Sequence, residues 1–152
     1  MKANYTFRQL DEGDAKYMQA LVQLFQEVFE LAHREELSIE QCQSLLAKSD
    51  FIVWVVFDGS ELVGGVTAFE LPMYKGDKAE LFVYDLAVHP DHQRRGLGRR
   101  LMRALMDLGR LRGIPTLFVD ADEEDTHALD FYRALGGEEV AVRQYTWQLE
   151  VE

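Results

Sequence analysis

The sequence predicts the α/β (α+β) fold class, with a mixed central sheet in one domain over residues 1–152. Apolar, β-branched runs typical of strands alternate with segments whose apolar residues recur at helical spacing. One such strand enters a helix through a glycine-rich turn. The length favours one domain, and the pattern predicts about six to seven strands and about four helices.

The first half of the chain contains two predicted strands with two helices between them. Alternation predicts a strand at the start, apolar residues at helical spacing predict a long helix, and a capping box at Ser38 begins a shorter one. A β-branched apolar run then predicts a central strand. In order, the four elements cover Tyr5–Leu10, Ala15–His33, Ser38 to about Lys48, and Phe51–Phe57.

The second half begins with the hairpin signal Asp58-Gly59. Gly64-Gly65 within the returning strand indicates a bulge or a close backbone approach. After a polar loop at 72–78, the elements are a strand, a helix, a short strand, a helix and a last hairpin or strand. They cover Ala79–Val88, Gly98 to about Arg112, Thr116–Asp120, a helix stopped by Gly136, and Glu139–Glu150.

Composition limits the classes of function. The formal net charge of −11 opposes nucleic-acid binding through a general electrostatic term, but it attracts polycations into a cleft lined with carboxylates. No apolar stretch is long enough to span a membrane, so no membrane partner is expected. The single cysteine, Cys42, lies in a helical pattern and is expected to be a buried or half-buried structural thiol. With an N-terminus that lacks a signal-peptide core, it indicates a cytoplasmic location.

The most informative stretch joins the strand Ala79–Val88 to the following helix. Gln93-Arg94-Arg95-Gly96-Leu97-Gly98 brings backbone N–H groups to a helix N-terminus, where phosphate binds. Four arginines, at positions 94, 95, 99 and 100, add positive charge. The turn lacks the three glycines of a dinucleotide fingerprint and the Gly-Lys-Ser/Thr of a Walker loop. The four histidines have no metal-ligand spacing, and no metal is implied.

The spacing Gln93-x-x-Gly96-x-Gly98 after Leu86-Ala87-Val88 resembles the acetyl-CoA pyrophosphate loop of the Gcn5-related N-acetyltransferases (GNAT). Further segments are similar to the aminoglycoside 3-N-acetyltransferases: 58–65, Leu71-Pro72, 83–88, Ala121-Asp122, and Ala128 ahead of Tyr132. Asp125 departs from the asparagine that is frequent in the broad superfamily and fits the aminoglycoside group. Dimers are frequent in the superfamily, so a homodimer is one expected arrangement.

The resemblance implies acetyl-CoA as the cofactor and a set of residues that bind it. The backbone N–H groups of Leu86 and Val88 would meet the pantetheine arm and the thioester, and the loop would anchor the diphosphate. This expected cofactor set is Leu86, Ala87, Val88, Gln93, Arg94, Arg95, Gly96, Leu97, Gly98, Arg99, Thr126, Ala128 and Phe131.

Two residues are expected to carry the chemistry. Tyr132 matches the superfamily tyrosine near the sulfur of coenzyme A, and a phenol can protonate a leaving thiolate. Asp85 precedes Leu86 in an apolar strand, so its carboxylate either pairs with a structural partner or faces the cleft as the base; Glu80 is the reserve. The expected substrate contacts are Glu80, Tyr84, Asp85, Asp122, Glu123, Glu124 and Asp125.

The resemblance therefore implies direct acetyl transfer to the 3-amino group of aminoglycoside antibiotics, which confers resistance. Two alternatives stay open at this point. The acceptor could be another amine, of a polyamine, an amino acid or a protein. The fold could also bind acetyl-CoA without turnover, although Tyr132 and the loop glycines favour an enzyme.

Overall fold

The computed structural model describes residues 2–76 and 78–152, and Asp77 of the predicted polar loop lies outside them. The chain forms two compact units, one reaching to Asp120 and the other covering Ala121–Glu152. The first unit contains a five-stranded sheet in which each strand pairs with the next along the chain. The predicted mixed α/β class is confirmed, and the described residues form five strands rather than six or seven.

The elements follow the predicted order with small shifts in their ends. The strands are β1 Tyr5–Gln9, β2 Phe51–Asp58, β3 Glu61–Pro72, β4 Ala79–Val88 and β5 Thr116–Val119, and the helices are α1 Ala15–Val28, α2 Ile39–Leu46, α3 Leu97–Leu111 and α4 Thr126–Ala134. Pairing is antiparallel from β1 to β4 and parallel between β4 and β5. The capping box at Ser38 is present, because its hydroxyl accepts from the Gln41 N–H.

The two sides of the sheet are covered by different helices. On one side α1 and α2 form a buried cluster with Val53, Val55 and Ala87 of the sheet. On the other side α3 packs against β2, β3 and β4, and its Leu101 and Leu105 are fully buried. Since both faces are covered, the central strands read as continuous apolar runs in the sequence.

The paired glycines of β3 allow close contacts on both faces. A Cβ added at Gly65 would lie 2.4 Å from Leu21 Cδ1 on α1, and one at Gly64 would lie 3.0 Å from Val56 Cγ1. The register with β2 also shifts beside them, because Val56 faces Gly64 while Phe57 faces Leu62. Both the close approach and the irregularity predicted from the glycines are therefore present.

A second irregularity lies in β4, where no glycine marks it. Thr67 faces Asp85 and Ala68 faces Val83, so Tyr84 is an extra residue between two paired ones. Such a bulge puts two successive side chains on one face of the sheet and bends the strand locally. It falls in the middle of β4, four residues before the strand ends at Val88.

Two predicted elements differ from the structure. Residues 137–152, which include the predicted last hairpin or strand Glu139–Glu150, form neither helix nor strand. A strand needs a neighbour to complete its hydrogen-bond ladder, and these residues take part in no ladder of the described sheet. The first helix ends at Val28 rather than His33, because Glu30 adopts a left-handed backbone (φ 53°) that a helix cannot continue.

Cys42 is fully buried in the cluster under α1 and α2, as the sequence indicated. Burial raises the pKa of this thiol by desolvation. The thiolate fraction is therefore low, and thiol reagents should react slowly with Cys42 in the folded protein.

Within the described residues, the helices are too short or too polar to cross a bilayer.

Candidate active site

The loop between β4 and α3 has the backbone of an anion-binding turn. Arg94 and Gly96 both adopt left-handed conformations, with φ values of 62° and 76°. An arginine in this region is strained, and such strain concentrates at binding sites. A side chain at Gly96 would meet open space, and no side chain caps the helix N-terminus. The first N–H groups of α3 can therefore meet a ligand phosphate.

Hydrogen bonds fix this loop to the sheet. The Gln93 side chain donates from Nε2 to the carbonyl of Val88 (2.9 Å), and the N–H of His89 donates to the carbonyl of Val63 (2.7 Å). The Gln93 side chain thus holds the loop against the end of β4. The turn is held in place before any ligand binds, which lowers the cost of ordering it.

A network missed by the sequence analysis connects the loop to the first strand. The Arg95 guanidinium donates to the Tyr5 hydroxyl oxygen (3.0 Å), and that hydroxyl lies 2.8 Å from Nδ1 of His92. Because a guanidinium only donates, the tyrosine can give its own proton to a neutral His92. Nearby, the Arg100 guanidinium lies 4.1 Å from the ring centroid of Phe7. Strand β1 therefore orients two arginines at this loop.

We expect Tyr5→Phe to raise KM for acetyl-CoA by about fivefold while kcat changes less than twofold. The substitution removes hydrogen bonds that position Arg95, each worth about 0.5–1.5 kcal/mol, and leaves the ring in place. Steady-state kinetics with varied acetyl-CoA measure the change. Tyr17→Phe is the matched control, since Tyr17 packs on Phe57 away from the loop. An unchanged KM in Tyr5→Phe would remove Tyr5 from this positioning role.

The end of β4 that leads into the loop has a neighbouring strand on one side only. Pairing with β5 covers Glu80 to Val83 and stops there, whereas pairing with β3 continues to Val88. Within the described sheet, Leu86, Ala87 and Val88 thus run past the end of β5. This is the opening between strands that the resemblance implied for the pantetheine arm. The binding role of the three residues remains a prediction.

The bulge at Tyr84 changes which residues share a face of β4. Phe82 and Tyr84 contact each other edge to face, with ring centroids 6.0 Å apart, on the side of the sheet that α1 covers. Glu80 lies two residues before Phe82 and Asp85 two before the buried Ala87 on this same side. The structure therefore places Glu80, Tyr84 and Asp85 on one face. Without the bulge, Glu80 and Asp85 would point to opposite faces.

Asp85 is half-buried with no compensating partner. Its N–H donates to Thr67 Oγ1 (3.2 Å), but its carboxylate makes no hydrogen bond or ion pair with the described residues. Burial raises the pKa of Asp85 by desolvation. Of the two sequence alternatives, pairing with a structural cation is therefore not observed. A carboxyl group with a raised pKa is better suited to accept a proton near neutral pH.

In the second unit, the acidic loop before α4 uses two of its carboxylates internally. Asp122 Oδ1 accepts from the Glu124 N–H (2.9 Å), and Asp125 Oδ1 accepts from the Ala128 N–H (3.0 Å). Asp125 is therefore the N-cap of α4. Glu123 and Glu124 are exposed. The substrate-binding roles of all four residues remain predictions.

Helix α4 carries the remaining predicted residues. Tyr132 is partly buried and packs edge to face on Phe131, with ring centroids 5.2 Å apart. The helix ends as predicted, since Gly136 is left-handed (φ 87°) and the Gly137 N–H bonds to the Tyr132 carbonyl (3.2 Å). Thr126, Ala128 and Phe131 lie on the same helix. Their contacts with a cofactor remain predictions.

The first unit is an α/β structure in which a central strand enters a helix through an anion-binding type of turn, as in proteins that bind phosphate-containing ligands. The comparisons with known proteins identify the family: residues 18–136 match the model of the acetyltransferase (GNAT) family. The chain belongs to this family, and its cofactor is acetyl-CoA.

Known proteins with similar structures include aminoglycoside acetyltransferases. The chain is 33% identical to the enzyme meta-AAC0020 from an uncultured soil metagenomic sample, solved in complex with sisomicin; the match covers 96% of this chain and 97% of that one, with a TM-score of 0.93. A second soil metagenomic enzyme, HMB0005, is 30% identical over 97% of this chain and 99% of its own, with a TM-score of 0.89.

A different activity is named among the curated relatives. The [ribosomal protein bS18]-alanine N-acetyltransferase of Escherichia coli (strain K12) is 37% identical over 81 residues, which are 53% of each chain. The chain thus spans about half the length of the curated relatives it matches. The two sets of relatives agree on the reaction and differ in the acceptor amine.

The residues present fit acetyl-CoA. Its diphosphate needs backbone donors and nearby cations, and the strained turn at Arg94–Gly96 with the uncapped start of α3 provides both. The positive charge there is local, because the chain as a whole carries a net charge of −11. Gln93, Arg94, Arg95, Gly96, Leu97, Gly98 and Arg99 are the residues of this loop and helix start that would hold the cofactor.

Proposed function

We propose that this protein is an acetyl-CoA-dependent N-acetyltransferase that acetylates the 3-amino group of aminoglycoside antibiotics. The observation that carries the proposal lies in β4. One end of this strand leads into the anion-binding turn, and three residues before that end stands the unpartnered carboxylate of Asp85. Cofactor anchor and proton acceptor are thereby built on a single rigid element.

The chemistry follows from the positions of the charges. Acetyl-CoA supplies an activated acetyl group, whose bond to sulfur breaks as a bond to the acceptor nitrogen forms. Asp85 accepts the proton that the ammonium must lose, directly or through water. Tyr132 gives a proton to the departing sulfur. The acetyl group passes directly to the amine in a ternary complex, and the chain's one cysteine is too buried to serve as a covalent carrier.

The acidic side chains favour a polycationic acceptor. Glu80 and Asp85 share one face of β4 with the exposed ring of Tyr84, which offers an apolar surface to a sugar ring. Charge-assisted hydrogen bonds to several ammonium groups contribute about 1.5–3 kcal/mol each. The full-length similarity to a sisomicin-bound acetyltransferase supports the same acceptor class. Acetylation of one amine would remove a positive charge that the drug needs to bind ribosomal RNA.

A second candidate acceptor is the N-terminal amine of a protein. The similarity to ribosomal-protein-alanine N-acetyltransferases favours it, at 37% identity over about half of each chain. The aminoglycoside proposal is preferred because its supporting match extends over nearly the whole chain. Both candidates share the cofactor and the proton transfers, so the acceptor alone separates them.

The test measures thiol release from acetyl-CoA with three acceptors: sisomicin, spermidine, and a peptide that begins with alanine. We expect turnover with sisomicin at a kcat/KM at least about tenfold above the other two. The buried thiol of Cys42 keeps the background of a thiol reagent low. NMR of the purified product identifies the acetylated nitrogen. Turnover of the peptide or the polyamine alone would overturn the aminoglycoside assignment, and binding of acetyl-CoA without turnover would overturn the enzyme.

A further inference from the structure

His92 connects the phosphate loop to a side chain that can change its charge. Its half-buried ring belongs to a single turn of 3-10 helix, Pro90–His92, between β4 and the loop. Its Nδ1 lies 2.8 Å from the Tyr5 hydroxyl oxygen, and the two rings meet edge to face with centroids 5.8 Å apart. The Arg95 guanidinium donates to the same oxygen (3.0 Å). The three side chains therefore form one chain of hydrogen bonds.

The direction of these hydrogen bonds follows from the chemistry of the three groups. The Arg95 guanidinium can only donate, so the Tyr5 oxygen is the acceptor and its own proton is available to His92. Nδ1 of His92 can accept from the Tyr5 hydroxyl only when the ring is neutral and carries its proton on Nε2. Hydrogen bonds that follow one another in one direction strengthen each other. A neutral His92 therefore helps Tyr5 to orient Arg95.

Protonation of His92 reverses the last hydrogen bond of the chain. Nδ1 then carries a proton and can only donate, so the Tyr5 oxygen faces a cationic donor on each side. The imidazolium and the guanidinium are like charges that share one acceptor atom, and they repel each other. The Arg95 side chain is exposed and flexible, so it is the partner that leaves. Its orientation at the phosphate loop is then lost.

Other titratable or charged groups surround His92 and must be separated from it. On the same turn, the His89 ring lies 6.0 Å away, and its Nδ1 accepts from the Asp91 N–H (3.1 Å) and lies 3.8 Å from the Asp91 carboxylate. On neighbouring elements, the Asp58 carboxylate accepts from a backbone N–H and Arg100 lies over a ring of β1. In the described part of the chain, none of these four groups is hydrogen-bonded to the Tyr5 hydroxyl. His89 is the group among them that could imitate a titration of His92.

We propose that His92 is a positioning residue for acetyl-CoA: its neutral ring orients Arg95 through Tyr5, and its protonation releases Arg95 and weakens cofactor binding. Histidine is the side chain that ordinarily changes charge between about pH 5 and 8, so the effect falls near physiological pH. By linkage, binding of coenzyme A must then release a proton from His92. The inference rests on the predicted contact of Arg95 with the diphosphate and involves no acceptor amine.

Calorimetric titration with coenzyme A tests the proposal without an acceptor. Between about pH 7.5 and pH 5.5, the affinity of the wild type should fall about fivefold more than that of Tyr5→Phe, as expected for an oriented, hydrogen-bonded cation. Tyr5→Phe lacks the connecting hydroxyl and keeps the other titrating groups, and both proteins meet the same ionisation of coenzyme A. Arg95→Met should also lose the extra fall. An equal fall in the wild type and either variant would overturn the proposal.

Three further substitutions separate His92 from its neighbour. His92→Asn places an amide oxygen near the position of Nδ1, so its affinity near neutral pH should match the wild type and its extra pH dependence should disappear. His92→Leu has no acceptor and should bind about fivefold more weakly at both pH values. His89→Asn keeps an acceptor for the Asp91 N–H and should retain the wild-type pH dependence. Wild-type affinity in His92→Leu, or loss of the pH dependence in His89→Asn alone, would contradict the proposal.

Nitrogen-15 NMR of the wild-type imidazole rings covers the case in which a variant fails to fold. Near neutral pH, the His92 ring should carry its proton on Nε2 and accept at Nδ1. At a pH where the ring is partly protonated, coenzyme A should shift it toward the neutral form. A neutral ring with its proton on Nδ1, or a ring that stays charged or gains a proton with coenzyme A, would overturn the proposal. The thiol-release assay measures the acceptor instead, so either proposal can fail alone.

Discussion

Asp85→Asn is expected to lower kcat/KM for the amine acceptor by at least about 100-fold, the usual effect of losing a general base. Asparagine has nearly the same shape as aspartate but cannot accept the proton that the ammonium must lose. The Thr67 hydroxyl bonds to the backbone of Asp85, so this contact survives the substitution. KM for acetyl-CoA should therefore change little, because the loop that binds the cofactor is untouched.

The pH dependence of kcat/KM provides a second test of Asp85 as the base. Burial raises the pKa of Asp85 above its ordinary value, and a base works in its deprotonated form. The wild-type kcat/KM should therefore rise with pH through the raised pKa. In Asp85→Asn this acidic limb should disappear, leaving low and nearly pH-independent turnover in that range. A pH series of initial rates at saturating acetyl-CoA measures both profiles.

The same shift predicts the effect on stability. Between the ordinary and the raised pKa, the native state holds a proton that the unfolded chain has lost, so the free energy of unfolding falls as pH rises through this window. Above the raised pKa the Asp85 carboxylate is charged in the native state, and the full cost of burying that charge then lowers the free energy of unfolding. Asp85→Asn removes that cost, and its Tm at neutral pH should equal or exceed that of the wild type. Loss of activity without loss of Tm is typical of a functional residue.

Glu80→Gln is the matched control, because Glu80 lies on the same face of the same strand. It should retain the acidic limb and lower kcat/KM by less than about tenfold, as expected for a substrate contact. If Glu80→Gln loses the limb while Asp85→Asn keeps it, the base is Glu80. If both variants keep it, the base lies outside β4.

Local sequence signals predicted most of the first unit. The phosphate loop could be predicted because a strand, a glycine-rich turn and an amphipathic helix follow one another directly in the sequence. The contact between Gly65 and Leu21 was readable as well, since glycine in a strand indicates a close neighbour. These features depend on residues that are adjacent in the chain, where spacing carries the information.

Features that depend on distant residues were not predictable. Tyr5 meets Arg95 across 90 positions, and nothing in either segment indicates the other. The bulge at Tyr84 comes from the register between β3 and β4, which is set by pairing along the two strands rather than by a turn residue. The C-terminal segment has the alternation of a strand, but alternation does not provide a partner. The alternation therefore predicts a strand for this segment only where another strand is available to pair with it.

Tyr132→Phe is expected to lower kcat by about 100-fold or more and to change KM for acetyl-CoA less than threefold. The substitution keeps the ring that packs on Phe131 and removes the hydroxyl proton that the leaving sulfur would receive. Because the backbone contact between Gly137 and the Tyr132 carbonyl remains, the end of α4 should be unaffected. An effect confined to kcat means that the interaction is made only in the transition state.

The fall of kcat at high pH, the alkaline limb of the pH profile, distinguishes a general acid from a residue that only packs. A general acid works in its protonated form, so wild-type kcat should fall at high pH as the acid ionises, and Tyr132→Phe should lack this fall. Tyr74→Phe makes the same chemical change at a side chain that is 90% exposed and should leave both kcat and the limb unchanged. An alkaline limb that persists in Tyr132→Phe would assign the acid to another group, and an equal loss of kcat with a lowered Tm would indicate a structural role.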